Sequence, residues 1–249
     1  SEGNDEMYYG FFTGAMPDLN YDNPKVFEEI VEIGRFWLDD IGVDGLRMDA
    51  AKHIFRDQRA LENHKFWVKF KEAMQAIKPD VYIVGEGWSD AKTTAPFSKG
   101  LSSLFNFDFS IEQTVKSGII SSSSVSAHSH VVSEDSSFVE TLIQNQELFK
   151  QTNPDFTDAI FLSNHDQNRV ASVLDNKKNK IKQAAAILLT LPGRPFIYYG
   201  EELGMLGVKP DENIREPFLW DAKEQDSYRT KCVVPSYTAD STLLSAEAK

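Results

Sequence analysis

Short apolar runs alternate with amphipathic helical periods along most of this chain, and that alternation limits the folds open to it. VDGLRM (43–48), VYIVGE (81–86), SLFNFDF (103–109), DAIFLSNHD (158–166) and RPFIYYG (194–200) read as five strands. Val26, Ile30, Ile33, Trp37 and Ile41 recur at three- and four-residue spacing, which predicts a helix from Pro24 to Ile41. Asn23 is suited to cap it, with Pro24 at the first helical position and Gly42 ending it. A second helix is predicted over 60–78, closed by Pro79, and a third over 181–191. Residues 110–150 read as helix, loop, helix, with the Ser run at 121–124 as a surface loop. Apolar strands alternating with helices make a parallel sheet covered by helices, an α/β fold. A closed β/α barrel and an open doubly wound sheet both satisfy the pattern. No Gly-rich phosphate loop follows a strand, which weighs against a dinucleotide-binding sheet.

The chain has 249 residues, 41% of them hydrophobic, enough for a sizeable core. Its net charge of −12 repels phosphate backbones, so nucleic acid is not the expected partner. No apolar run is long enough to predict a membrane span. The single cysteine, Cys232, has no partner for an internal disulfide. The chain begins at Ser1 within a polar loop, without a signal peptide, and reads as a processed product or part of a longer protein. No internal repeat is visible.

Charged side chains at the ends of apolar strands are costly unless paired or used. In GVDGLRMDAAKH (42–53), Gly45, Arg47 and Asp49 fall on one strand face, and Leu46 and Met48 on the other. If Leu46 and Met48 pack on helices, Arg47 and Asp49 point inward, with Asp49 at the rim. Two readings stay open: a buried pair that fixes the strand, or a nucleophilic Asp49 held ionised by Arg47. Glu86 ends a second strand, next to Gly87 and Trp88, and Asp166 ends another, beside His165. A lone strand-end acid is commonly a helix cap. Three such acids point to a site, and in barrels the chemistry sits at the C-terminal ends of strands. They could hold a divalent metal, although His165, His53 and Arg47 follow no recognised metal spacing. Two of them could instead act on a glycosidic bond, one as nucleophile and one as proton donor, with the third stabilising the charge that develops. Trp88, Tyr8 and Tyr9 could stack on a sugar face.

These segments resemble the signatures of the α-amylase family, glycoside hydrolase family 13. GVDGLRMDAAKH is similar to the segment that carries the family's nucleophile, which would be Asp49, with Arg47 as its accompanying arginine. VGEGW is similar to the segment of the general acid/base, which would be Glu86. FLSNHD is similar to the segment that places His165 and Asp166 against the substrate. MPDLN (16–20) and GRPFIYYGEELGM (193–205) resemble further family segments. The resemblance spans about residues 7–220, in family order.

The resemblance implies a (β/α)8 TIM barrel and retaining hydrolysis of α-1,4-glucosidic bonds in starch-like α-glucans or maltooligosaccharides. Lys52 and His53 match a pair that contacts sugars on the leaving-group side, and the His53 carbonyl matches a frequent calcium ligand. The segment that supplies the family's first signature is absent. Residues 23–230 are therefore expected to hold strands four to eight of the barrel, residues 1–22 the end of an inserted domain, and 231–249 a trailing segment. An incomplete barrel implies weak activity at best, and most calcium ligands would lie outside this chain. A starch-sized substrate cannot enter a cell, which points to an extracellular or cell-surface parent. Alternatives are an α-1,6-acting or transglycosylating relative, a non-catalytic carbohydrate-binding relative on the same fold, and an open-sheet metal-dependent hydrolase.

Overall fold

The computed structural model describes residues 8–116, 138–218, 220, 230, 236 and 237. The Ser run at 121–124, Cys232 and nearly all of the trailing segment lie outside the described residues. The chain divides into two compact units, Ser1–Trp88 with Pro96–Leu104, and Ser89–Ala95 with Phe105–Lys249. Among the described residues no helix is long and apolar enough to cross a membrane.

In the first unit, helix α1 (Pro24–Arg35) starts as expected, with the Asn23 side chain accepting from the Lys25 N–H. It runs on as a π-helical turn, Phe36–Ile41, and ends on Gly42 in the left-handed region at φ 81°. The Val43 N–H then donates to the Trp37 carbonyl. That cap consumes the amide with which a strand would begin, so β1 is Gly45–Met48, two residues shorter than expected. Helix α2 (Ala60–Ile77) follows, then β2 (Tyr82–Gly85). Strand β3 is only Ser103–Leu104. The three strands form one parallel sheet in the order β1-β2-β3, leaving β1 at an edge.

The apolar face of α1 differs from the expected one. Gly34 and Leu38 are buried, while Ile33, Trp37 and Ile41 are 53%, 46% and 53% exposed. Gly34 sits so close to Met74 of α2 that a Cβ would overlap its Sδ, which explains a glycine at the helix crossing. Helix α2 buries Asn63, Phe66, Trp67, Phe70 and Met74, a stripe at three- and four-residue spacing. Phe66, Trp67 and Phe70 pack ring against ring there.

The second unit contains α3 (Ala91–Thr94), α4 (Ile111–Lys116), α5 (Phe138–Thr152), β4 (Ala159–Phe161), α6 (Val170–Val173), α7 (Lys178–Thr190), β5 (Arg194–Phe196) and α8 (Asp211–Ile214). Strands β4 and β5 pair in parallel as a separate two-stranded sheet. The expected strand over 103–109 thus stops at Leu104. Its remainder turns into a 3₁₀ segment, Phe107–Phe109, because the Asn106 side chain accepts the Asp108 N–H. The expected fifth strand likewise stops at Phe196, before the Tyr198–Gly204 turns. Phe109, Ile111, Ile160, Leu162, Leu174 and Leu188 form the core of this unit.

A buried polar chain lies beside that core. Asn106 Nδ2 donates to Asp158 Oδ1 at 3.2 Å, and Asn145 Nδ2 donates to Asp108 Oδ2 at 2.8 Å. Burial pushes the Asp158 carboxyl up to about 6, with Asn106 pulling it down and the nearby Asp108 adding to the rise. Burial also raises Asp108. A raised acid favours the folded state fully below its unfolded pKa near 3.8 and loses that contribution as pH rises through about 6. Unfolding free energy should therefore fall between about pH 4 and pH 6.5, by up to about 3 kcal/mol from this group. Asp158→Asn should remove that component, and urea denaturation of both proteins at pH 4.5 and 7 measures it. An identical pH drop in the two proteins would rule the assignment out.

Candidate active site

Strands β1 and β2 pair with Met48 opposite Gly85, so Asp49 and Glu86 leave the sheet side by side at the C-terminal ends of neighbouring parallel strands. The Glu86 N–H donates to the Met48 carbonyl at 2.9 Å, and the Glu86 carbonyl accepts the Ala51 N–H at 2.9 Å. Glu86 Oε2 also accepts the Ala50 N–H at 3.2 Å. Ala50 itself occupies the left-handed region at φ 43°, an uncommon conformation for a non-glycine residue. It reverses the chain directly after Asp49.

Arg47 connects the two acids. Its Nη1 pairs with Asp49 Oδ1, and its Nη2 lies 3.2 Å from Glu86 Oε1. The arginine is therefore shared by both carboxylates rather than dedicated to Asp49. Arg47 and Asp49, expected to point inward with Asp49 at the rim, are both open to solvent in this chain. The Asp49 side chain is 76% exposed and that of Arg47 34%, whereas Glu86 is 11% exposed. With β1 at the edge of a three-stranded sheet, this face is open to solvent.

Lys52 and His53 follow in a 3₁₀ turn, Ala51–His53. Lys52 Nζ donates to the Trp88 carbonyl at 3.1 Å, which ties it to the segment after Glu86. The Trp88 side chain is 43% exposed. The His53 ring stacks on Phe11 at 3.9 Å between centroids and meets Phe12 edge-on. Burial, and then the charge of Lys52, lower the His53 pKa, so the ring is neutral at neutral pH. A cleft of about 560 Å³ opens beside it, lined by Tyr9, Phe11, Tyr21, His53 and Phe55 among others. The guanidinium of Arg56 covers the Tyr9 ring at 3.9 Å.

Calcium takes six to eight oxygen ligands. Among the described residues no group of three or more His, Cys, Asp or Glu side chains converges on a point.

In the second unit β4 stops at Phe161, short of the strand expected over 158–166. Asp166 therefore does not end the strand but lies in a turn beyond it, where the Asn164 side chain accepts its N–H at 2.9 Å. His165 Nε2 lies 3.1 Å from Asp166 Oδ2. Arg215, which the sequence reading passed over, donates from Nη2 to Asp166 Oδ1 and from Nε to the His165 carbonyl, each at 2.8 Å. The same Nη2 lies 2.8 Å from Asp211 Oδ2 across α8. The available signal was the Asp211/Arg215 spacing of four, which places opposite charges together on a helix. An overlooked acid, Glu201, accepts from the Ser163 hydroxyl and from the Tyr198 N–H at 3.3 Å. Burial pushes its carboxyl up to about 7.

The family model for the alpha-amylase catalytic domain matches residues 1–242. Alpha-amylase 3 of Dictyoglomus thermophilum is 45% identical over 230 residues, covering 92% of this chain and 43% of that protein. The 4-alpha-glucanotransferase of Thermotoga maritima is 34% identical over 245 residues, covering 97% of this chain and 50% of that protein. The crystal structure of an alpha-amylase from H. orenii matches with a TM-score of 0.81 at 39% identity, covering 96% of this chain and 46% of that one. The chain thus spans about half the length of the curated relatives it matches. From these matches and the order of its strand-end acids, the chain belongs to the alpha-amylase catalytic-domain family.

Proposed function

We propose that this chain supplies the nucleophile and the acid/base of a retaining glycoside hydrolase acting on α-1,4-linked glucans. One observation carries the proposal: Asp49 and Glu86 end adjacent paired strands and share the guanidinium of Arg47. In the first step Glu86 gives its proton to the glycosidic oxygen while Asp49 attacks the anomeric carbon. The bond to the leaving sugar breaks and a glycosyl–Asp49 ester forms. In the second step Glu86 takes a proton from water, the water oxygen attacks the same carbon, and Asp49 is released. The family resemblance assigns His165 and Asp166 to the hydroxyls of the sugar being attacked. Arg215 would hold both from behind. Lys52, His53 and Trp88 would contact the leaving-group sugars, and the aromatic cleft beside His53 suits sugar faces. The relatives include a hydrolase and a glucanotransferase by name. Hydrolysis is proposed on the higher identity to the alpha-amylase, 45% against 34% for the glucanotransferase.

The five strands are proposed as strands four to eight of the barrel. Supporting this are the edge position of β1, the exposed stripe of Ile33, Trp37 and Ile41 on α1, and the half-length coverage of the relatives. Any calcium would take its ligands mainly from outside this chain.

Two outcomes test the proposal. Joining this chain at its N-terminus to the part of the catalytic domain that its relatives carry should raise starch hydrolysis well above that of the 249 residues alone. Equal rates would refute the incomplete-barrel assignment. In the joined protein, Glu86→Gln should lower kcat on maltooligosaccharides by at least the ~10²–10⁴-fold that proton transfer supplies. An unchanged kcat would refute the acid/base assignment.

A further inference from the structure

Two fully buried side chains of α2 hold the loop that follows Asp49. Asn63 is 1% exposed and Trp67 is 1% exposed. Trp67 Nε1 donates to the Ala51 carbonyl at 2.7 Å. Asn63 Nδ2 donates to the Lys52 carbonyl at 2.9 Å and to the Phe55 carbonyl at 3.0 Å, while its Oδ1 accepts the Phe55 N–H at 2.8 Å. One amide side chain therefore satisfies three backbone groups that bracket Lys52, His53 and Ile54. A polar residue on the core stripe of a helix is expensive unless fully bonded, and this one is bonded on both ends of its amide.

The two acids are held by other means. Glu86 and Asp49 are tied through Arg47, the Ala50 N–H and the β1–β2 backbone, and Asn63 touches none of these. We propose that Asn63 is a positioning residue that sets leaving-group-side specificity: it fixes the pose of the Lys52–His53 loop without acting on the acid pair. This inference rests on the functional reading above. It goes further by separating one residue's effect on sugar recognition from its effect on bond cleavage.

The test compares two substrates in the N-terminally joined protein. Maltopentaose places sugars on the leaving-group side, whereas α-maltosyl fluoride has only a fluoride there. Asn63→Leu should lower kcat/KM on maltopentaose by about tenfold more than on α-maltosyl fluoride, consistent with the large penalties for slight misplacement of a binding group. Exchange of the Phe55 amide should accelerate in the same variant, since its acceptor is gone. Should Asn63→Leu fail to fold, Asn63→Asp is the second variant. It keeps an acceptor for the Phe55 N–H, loses the donor to the Lys52 carbonyl, and should show the same substrate split. Equal losses on both substrates would overturn the proposal, as would no loss on maltopentaose. If the unsubstituted protein turned over neither substrate, the functional reading would fail and the specificity role with it. Phe55 exchange would still decide separately whether Asn63 holds the loop.

Discussion

Everything at the candidate site depends on the backbone of Glu86 being bonded on both sides to the segment that carries Asp49. Its N–H reaches back to Met48 and its carbonyl forward to Ala51, so the two acids are set by strand register before any side chain is considered. A slip of one residue would send one carboxylate to the opposite face of the sheet. The left-handed Ala50 is the consequence: the chain must turn at once for the Ala51 N–H to reach the Glu86 carbonyl. Residues held in such sparsely populated conformations persist only where the surroundings over-determine them. Here the surroundings are the Glu86 backbone on one side and Trp67 on the other.

The charges at the site contribute less to its construction than the backbone does. Arg47 and Asp49 are partly exposed, and exposed ion pairs are worth at most about 1 kcal/mol. Their value lies in placement: a guanidinium shared by two acids keeps both close, although only Glu86 is largely buried. The second unit repeats the logic, with Arg215 binding the His165 carbonyl and the Asp166 carboxylate at once. In both units an arginine making two bonds orients an acid that follows a strand, directly in the case of Asp49 and beyond a turn in the case of Asp166.

Much of this was legible from residue order. The α1 start at Asn23–Pro24, the Gly42 stop and α2 follow from periodicity and cap chemistry and stand where expected. Asp49 and Glu86 directly follow β1 and β2, whereas Asp166, expected to end its strand, lies beyond Phe161, where β4 stops. Strand lengths were not legible. Val43 is β-branched and apolar, yet its amide caps a helix, and FNFDF has strand composition, yet Asn106 turns it into a 3₁₀ segment. Such hydrogen-bond competition has no signature in hydrophobicity. Asn63 was also missed, because a stripe reading of α2 counts only apolar residues and passes over the one polar member of the buried face. Arg215 lies 49 residues from Asp166, and no local pattern links them.

The exposed side of α1 shows where local and global requirements part. Its buried residues, Gly34 and Leu38, are small or modest, while Ile33, Trp37 and Ile41 stay about half exposed. Fully burying an aliphatic or aromatic side chain is worth about 1.5–3 kcal/mol. Three half-exposed ones leave several kcal/mol unrealised, comparable to a large share of a domain's net stability of about 5–15 kcal/mol. Among the described residues β1 is an edge strand, and its one strand neighbour, β2, leads into Glu86. Pairing β1 on its open edge would remove water from beside Asp49 and Arg47. Removing that water strengthens the electrostatic contacts among the three charges.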